Sequence, residues 1–472
     1  MLISMKFGHR VSGKIERLDD HGRGVFKSEN VTFTVPFTTV GDDIVATFLH
    51  RDRGTKVARL ESITTPGPDR VAAPCPHAGT CGGCLWQHIS YDAQVKLKFD
   101  MVNKALENAG HDERISTIEP AVDQFHHRNR MDYVVGWNGQ IGLKEYGSWN
   151  RYVDLKTCLL LNDGVGDILQ CVRDWMRESD LQPWDAKFYT GDVRYVVIRE
   201  GKKTNQRLIC IVVKDATRVT EEHKKKLVEG LCRATPDSRL PTSVLLGEQS
   251  LITDISLAQK FETLYGNPWL EEVVNGITYR IHPNSFFQTN PTMAGVLQKV
   301  VAEFVGAQFI APNQSILDLY CGLGFFSISL AQLSIQQATP DSRRATPISP
   351  RIHGVEIDAE AIELAKHNAA TNNVADRCDF TAAKAEDMSW KDIPADVVIL
   401  DPPRSGLHPR VLKTVIEKRP KTIVYVSCNY KHLVEELKEF KKEYTIEKLI
   451  AIDLFPHTPH VEVVTKLVAR SS

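Results

Sequence analysis

No run in this chain approaches the ~18 consecutive apolar residues that a membrane-crossing helix requires. A helical membrane protein is therefore excluded. No export signal is expected either, since MLISMKFGHRVSGK puts Lys6, His9 and Arg10 where such a signal would carry its apolar centre. A cytoplasmic location is expected. Net charge is almost absent, with 58 Lys and Arg against 59 Asp and Glu, for a formal charge of −1. That balance neither implies nor excludes a polyanionic partner, because binding depends on where the charge lies. The 10 cysteines, in a chain with no sign of export, argue against a disulfide framework and for free thiols, metal or cluster ligands, or catalysis. The 42% hydrophobic and 25% charged composition is ordinary for a globular protein. At 472 residues the chain exceeds what one core supports, so two or three domains are expected.

What is present divides the chain. In NVTFTVPFTT, Val31, Phe33 and Val35 alternate with Thr32 and Thr34, which suits a strand with one buried face. Gly22, Gly24 and Gly41 punctuate the neighbouring strand-like runs, so residues 1–66 read as a small β-barrel. TTPGPDRVAAPCP, rich in Pro and Gly, marks the boundary at Pro66. Residues 67–284 read as α+β: a helix whose Val95, Phe99, Val102 and Leu106 fall at helical spacing before Gly110, then strands in MDYVVGW, RYVVIRE and RLICIVV. From 285 to 472, SILDLY, FSISLAQL, RIHGVEID, AEAIELAKHNAAT, ADVVILD and TIVYVS alternate strand with helix, which argues for a parallel sheet covered by helices. The helix near 91–110 is expected to pack with this last domain. The hexamer ATPDSR, at Ala234–Arg239 and again at Ala338–Arg343, is too short for a structural repeat and reads as two surface insertions.

Three successive strands of the last domain end on a carboxylate. Asp318 precedes Gly322 and Gly324 in LDLYCGLGFFSISLA, Glu356 closes HGVEID, and Asp401 opens DPPRSG, whose prolines stiffen the loop. Ligands of open α/β sheets bind outside the carboxyl ends of the strands, where glycine lets the backbone come close. A dinucleotide motif would need a third glycine where this chain has Ser327, so pyrophosphate binding is disfavoured. Glu356 is suited to ribose hydroxyls. Together these ends resemble the adenosylmethionine site of Rossmann-like methyltransferases.

IVYVSCNYKHL places Cys428 at the next strand tip, and FPHTPHVEVVTKLV places Glu462 near the carboxyl end. A free cysteine often merely packs in a core, and a glutamate in HVEVV can be the polar residue of an alternating strand. Their company decides between readings. DPPRSGL, VSCN and FPHTPHVEVV, with SFFQTN before them, resemble in order the signature stretches of the RNA uracil-5 methyltransferase family. The resemblance covers most of the chain apart from the ATPDSR insertions. It implies Cys428 as the nucleophile that adds to carbon 6 of uracil, and Glu462 as the base that removes the proton from carbon 5. It further implies Gln288, Tyr320, Glu356 and Asp401 as S-adenosyl-L-methionine contacts, with Phe325, Lys384 and Arg404 as weaker candidates. One departure stands out: the family commonly has proline after SCN, where this chain has Tyr430. Without that ring the nucleophile loop is expected to be looser.

CPHAGTCGGC spaces Cys75, Cys81 and Cys84 as C-x5-C-x2-C among glycines that let the chain wrap tightly. A fourth ligand is available in VDLKTCLLLN as Cys158. Zinc and inert thiols are the alternatives; resemblance to the family's iron–sulfur members implies a [4Fe-4S] cluster on these four. The fold so implied is a class I, SAM-dependent methyltransferase domain joined to an OB-like TRAM barrel and a central iron–sulfur domain.

HRDRGTKVARL supplies Arg51, Arg53, Lys56 and Arg59, and HHRNRMDY supplies Arg128 and Arg130 beside Tyr133, a mixture suited to phosphates and unpaired bases. The expected partner is RNA, met by a monomeric chain without membrane association. The barrel and cysteine cluster resemble the bacterial 23S rRNA branch more than the shorter transfer-RNA branch, which makes 23S rRNA the first expectation and tRNA the second. Two other readings compete: an amino-group methyltransferase, which would have no use for Cys428, and an RNA-binding or iron–sulfur protein with an inactive methyltransferase fold.

Overall fold

The computed structural model describes residues 7–52, 54–234, 241–306, 314–336 and 351–470. Arg53, the second ATPDSR copy and all of the first but Ala234 lie outside them.

The N-terminal strands form one six-stranded sheet in the order Arg10–Lys14, Asp43–Asp52, Thr55–Thr65, Val31–Val35, Gly24–Ser28, Arg17–Leu18. Phe26, Phe33, Val35 and Phe48 fill its concave side. The expected barrel is not closed among the described residues. Its two end strands, Arg10–Lys14 and Arg17–Leu18, are joined only by Ile15 and Glu16, which forces the sheet to curl, yet no ladder pairs them.

A second sheet of seven strands runs Tyr152–Asp154, Ile141–Lys144, Arg130–Val135, Val193–Gly201, Gln206–Val213, Ser243–Glu248, Lys260–Tyr265. Its middle strands are buried almost throughout because both faces are covered, and the charged Arg194, Arg199, Glu200 and Arg207 are enclosed with the apolar residues. The helices Val165–Glu178 and Glu221–Ala234 cover one face. The other face shares a core with the last sheet, through Tyr195, Val197 and Leu208 on one side and Leu297, Val301 and Ile316 on the other.

The third sheet carries the expected alternation. Its strands are β1 (Ile118–Glu119), β2 (Ser315–Leu319), β3 (Arg351–Glu356), β4 (Cys378–Ala382), β5 (Val397–Leu400), β6 (Thr422–Ser427), β7 (Tyr444–Ile452) and β8 (Glu462–Ala469), in the order β4-β3-β2-β5-β6-β8-β7-β1. From β4 to β6 every pairing is parallel; β8 runs antiparallel to both β6 and β7. Helix α1 (Tyr91–Asn108) reaches forward to this sheet, where its Val102 and Leu106 join the core beside Val398, Tyr425 and Leu437. The crossover helices are α2 (Pro291–Val305), α3 (Phe325–Gln336), α4 (Ala359–Thr371), α5 (Pro409–Lys418) and α6 (Tyr430–Phe440). Parallel pairing brings the carboxyl ends of β3, β2, β5 and β6 to one edge, and the reversed β8 starts there. No helix among the described residues is long and apolar enough to cross a membrane.

Candidate active site

That edge concentrates acid. Asp318 is fully buried; its Oδ2 accepts hydrogen bonds from the Ser327 backbone N–H (3.1 Å) and hydroxyl (2.6 Å), while its Oδ1 has no partner. Desolvation, with Glu356 nearby, pushes it up to about 7. Asp401, one residue past β5, is also raised, first by desolvation and then by Asp318 and Glu356. Glu356 accepts from the backbone N–H groups of Gly322 (3.2 Å), Ile357 (2.7 Å) and Asp358 (3.1 Å), tying the glycine loop to the end of β3. Asp318 and Asp401, whose charge is disfavoured by burial and by their neighbours, lie with Glu356 across neighbouring strand ends and make a site suited to a cation.

The glycine loop has the backbone freedom its sequence suggests. Tyr320 sits at φ +67° and Gly322 at +53°, and a Cβ on Gly322 would meet nothing within 4 Å. Gly324, at φ +78°, is required by packing instead, because a Cβ there would lie 2.9 Å from Ile328 and 3.0 Å from Phe380. Phe325 is only 8% exposed and turns its ring into an aromatic core with Tyr279 and Phe287. Gln288 is buried beside it in sequence, its carbonyl accepting from Asn129 Nδ2 at 3.1 Å. Lys384 is exposed at the end of β4, away from this core.

Cys428 follows β6 directly and is half-buried. Desolvation raises its thiol to about 12, reinforced by Glu462 and Asp401 and opposed by Arg404. Glu462 opens β8 opposite Ile452, and its neighbour Val463 pairs with Ser427. It is 2% exposed, and desolvation followed by Asp401 holds its carboxyl well above the usual carboxylate range. The structure thus brings Cys428, Glu462 and Asp401 within one another's electrostatic reach. The loop expected to be loose is held by other means. Asn429 caps α6, accepting from the Lys431 backbone (3.3 Å) and donating from Nδ2 to the Arg404 carbonyl (3.0 Å). Tyr430 occupies the first helical position, where an amide needs no intrahelical partner, and buries its ring among the core residues beneath.

Cys428 lies on the wall of a cavity of about 930 Å³ lined by residues of the three larger sheets and their connecting segments. Asp20 and His21 come from the N-terminal sheet, Gly82 and Gly83 from the cysteine loop, Arg128, Arg130 and Lys144 from the central sheet, and Arg404, Lys431 and His460 from the last. Of the expected RNA contacts, Arg128 and Arg130 therefore line the same cavity as the thiol. Tyr133 is not available for stacking, being fully buried.

Cys75, Cys81, Cys84 and Cys158 border one small cavity of about 20 Å³, together with Gln87, Leu143 and Leu155. Each of the first three is raised by burial and then by Cys158, Cys81 to about 11 and Cys84 to about 12. Among the described residues, no group of three or more His, Cys, Asp or Glu is placed to share a single metal ion.

Sequence reasoning missed the buried pair of Lys98 and Asp453, 2.6 Å apart with both side chains fully enclosed. Lys98 also donates to the Phe455 carbonyl, and Tyr91 donates to Asp453 at 3.0 Å. This network fixes the turn that leads into Glu462. Its only sequence signal is a lysine one position off the apolar stripe of α1.

The sheet and its edge define an α/β methyltransferase. Residues 253–470 match the family model described as tRNA (Uracil-5-)-methyltransferase. The chain is 33% identical to the tRNA (uracil(54)-C(5))-methyltransferase of Pyrococcus furiosus, over 96% of this chain and 98% of the relative. It is 32% identical to the 23S rRNA (uracil(747)-C(5))-methyltransferase of Pyrococcus horikoshii, over 97% and 99%. The crystal structure of the Pyrococcus abyssi tRNA (uracil-54, C5)-methyltransferase with S-adenosyl-L-homocysteine superposes with a TM-score of 0.78 at 31% identity, covering 97% of this chain and 99% of that one. The chain belongs to the RNA uracil-C5 methyltransferase family and is a transferase of that class.

Proposed function

We propose that this protein transfers a methyl group from S-adenosyl-L-methionine to carbon 5 of a uridine in RNA. The observation that carries the reading is the joint placement of Cys428, Glu462 and Asp401 at one sheet edge. Bound S-adenosyl-L-methionine supplies a methyl group on a positively charged sulfur, and the raised, buried Asp318 and Asp401 beside Glu356 suit a ligand of that charge. Gln288, Tyr320, Glu356 and Asp401 hold it, with Phe325 packed beneath the loop. The Cys428 thiolate adds to carbon 6 of the uracil and saturates the ring double bond, so that carbon 5 becomes nucleophilic and takes the methyl group. Glu462 then accepts the proton from carbon 5, the double bond re-forms, and the Cys428 sulfur leaves. The target ring must leave its stack to meet Cys428.

Cys75, Cys81, Cys84 and Cys158 would hold a [4Fe-4S] cluster. The support is an all-sulfur donor set around one cavity, in which burial raises the thiols of Cys75, Cys81 and Cys84 and so favours a cationic centre beside them. The N-terminal sheet is read as an RNA-binding module of TRAM type, and the chain as cytoplasmic, with domains divided near 66 and 284. For the substrate, the expectation of 23S rRNA from the barrel and cysteine cluster is not decided by the relatives, since relatives of either target match this chain almost end to end. Relatives of the transfer-RNA class make tRNA the first target and 23S rRNA the second. Mapping 5-methyluridine in both RNAs, from cells with and without this protein, tests the proposal. Loss of one methyluridine supports it, and unchanged maps overturn it.

A further inference from the structure

The segment 249–257 presents an apolar surface that the reaction above does not use. Leu251 is 54% exposed, Ile252 65% and Ile255 48%. Large aliphatic side chains grouped in the open mark a contact site. This segment is also stiff. Arg194, 1% exposed, donates to three of its backbone carbonyls, those of Gln249, Leu251 (2.8 Å) and Thr253, and stacks on Trp184 with 4.6 Å to the ring centroid. Gln249 bonds across the segment to the Leu257 carbonyl. The apolar side chains are thus held out by a buried cation that spends its donors on their backbone.

Its position ties it to the cleft. Asp254 accepts from Lys144 and from the Tyr195 hydroxyl, and Ser256 donates to Asp132, which also binds Arg130. Lys144, Arg130 and Asp132 line the cavity that holds Cys428. The apolar lip therefore continues a wall whose cations, with Arg128, Arg404 and Lys431, suit a phosphate backbone. An RNA entering there would bring its stacked bases against aliphatic carbon rather than water.

We infer that Leu251, Ile252 and Ile255 form a rigid apolar wedge that inserts into the base stack beside the target uridine and holds it open while the uridine turns toward Cys428. Apolar wedges on nucleic-acid-binding proteins separate base steps in this manner, at the expense of stacking energy that the new contact offsets. The inference rests on the uridine methylation proposed above.

The test uses the full chain and a triple variant, Leu251→Ser, Ile252→Ser and Ile255→Ser, all at exposed positions. Single-turnover methylation is measured on a folded tRNA transcript and on the same transcript with an abasic site beside the target, which opens the stack in advance. The wedge predicts a loss of about tenfold or more on the folded RNA, with most of the rate recovered on the opened one and an unchanged salt dependence of binding. Equal rates on the folded RNA, or equal losses on both, overturn it. A wild-type chain that self-associates, with the variant monomeric, would make the patch a contact between copies and overturn it as well. A wild-type chain inert on both RNAs would instead overturn the methylation reading, and the wedge with it.

Discussion

A thiol raised to about 12 is almost wholly protonated at neutral pH, so the proposed nucleophile Cys428 would react through a small thiolate population. Below its pKa that population grows tenfold with each pH unit. Formation of the covalent RNA adduct should therefore climb from about pH 7 to about pH 9 without levelling. A plateau in the lower half of that range would contradict the assignment. Arg404 is the neighbour that favours the thiolate, so Arg404→Ala should slow formation of the covalent RNA adduct, measured under saturating S-adenosyl-L-methionine. Glu462→Gln separates the two halves of the reaction. Addition and methylation need no base at carbon 5, so the variant should accumulate methylated RNA bound to protein while turnover falls about 100-fold or more. Turnover near the wild-type rate with no trapped species would assign the proton to another group.

At the scale of elements, the strands and helices of the last domain were legible because their apolar runs alternate in length and are bounded by Gly, Pro and Asp. Helix α1 was legible in extent and in its apolar stripe, but not in its polar burial. Val95 and Phe99 pack half-buried against the core that holds Val102 and Leu106, while the structure also buries Gln94 and Lys98. The reason is tertiary: the N-terminal half of α1 meets the polar turn 453–457, where Gln94 binds His457 and Lys98 binds Asp453. Removing one partner leaves the other charge enclosed. Lys98→Met should accordingly lower unfolding stability by about 3–5 kcal/mol in denaturant titrations, with most of it regained in the double variant Lys98→Met, Asp453→Leu. If the single variant unfolds at the wild-type midpoint, the pair is not anchoring that turn. Tyr430 is a second case of tertiary override, since its buried ring and the Asn429 cap do for the loop what proline would do locally.

For the whole molecule, the strand ends that carry the proposed chemistry were readable and the cleft was not. Cys428, Glu462 and the three acidic strand ends each belong to short motifs, and a parallel sheet gathers such ends by topology. The cavity around them takes residues from three sheets more than 400 positions apart, as where Lys431 pairs with Asp20 at 3.1 Å, and no local pattern announces that union. The open N-terminal sheet escaped notice for a similar reason, because closure depends on which edge strands meet. The arrangement also predicts a local role for the cysteines. Replacing Cys84 with serine in anaerobically prepared protein should abolish any visible charge-transfer absorption and loosen the loop of Gly82 and Gly83 that forms part of the cleft wall.

The central claim is that the Cys428 sulfur bonds to the uracil ring. Incubating the protein and S-adenosyl-L-methionine with 5-fluorouridine-substituted RNA, then digesting and sequencing the adduct by mass spectrometry, tests it directly. The account predicts a methylated fluorouridine fixed to the peptide containing Cys428, and no adduct from Cys428→Ala. A modification at any other residue, or full methylation of ordinary RNA by Cys428→Ala, would contradict it.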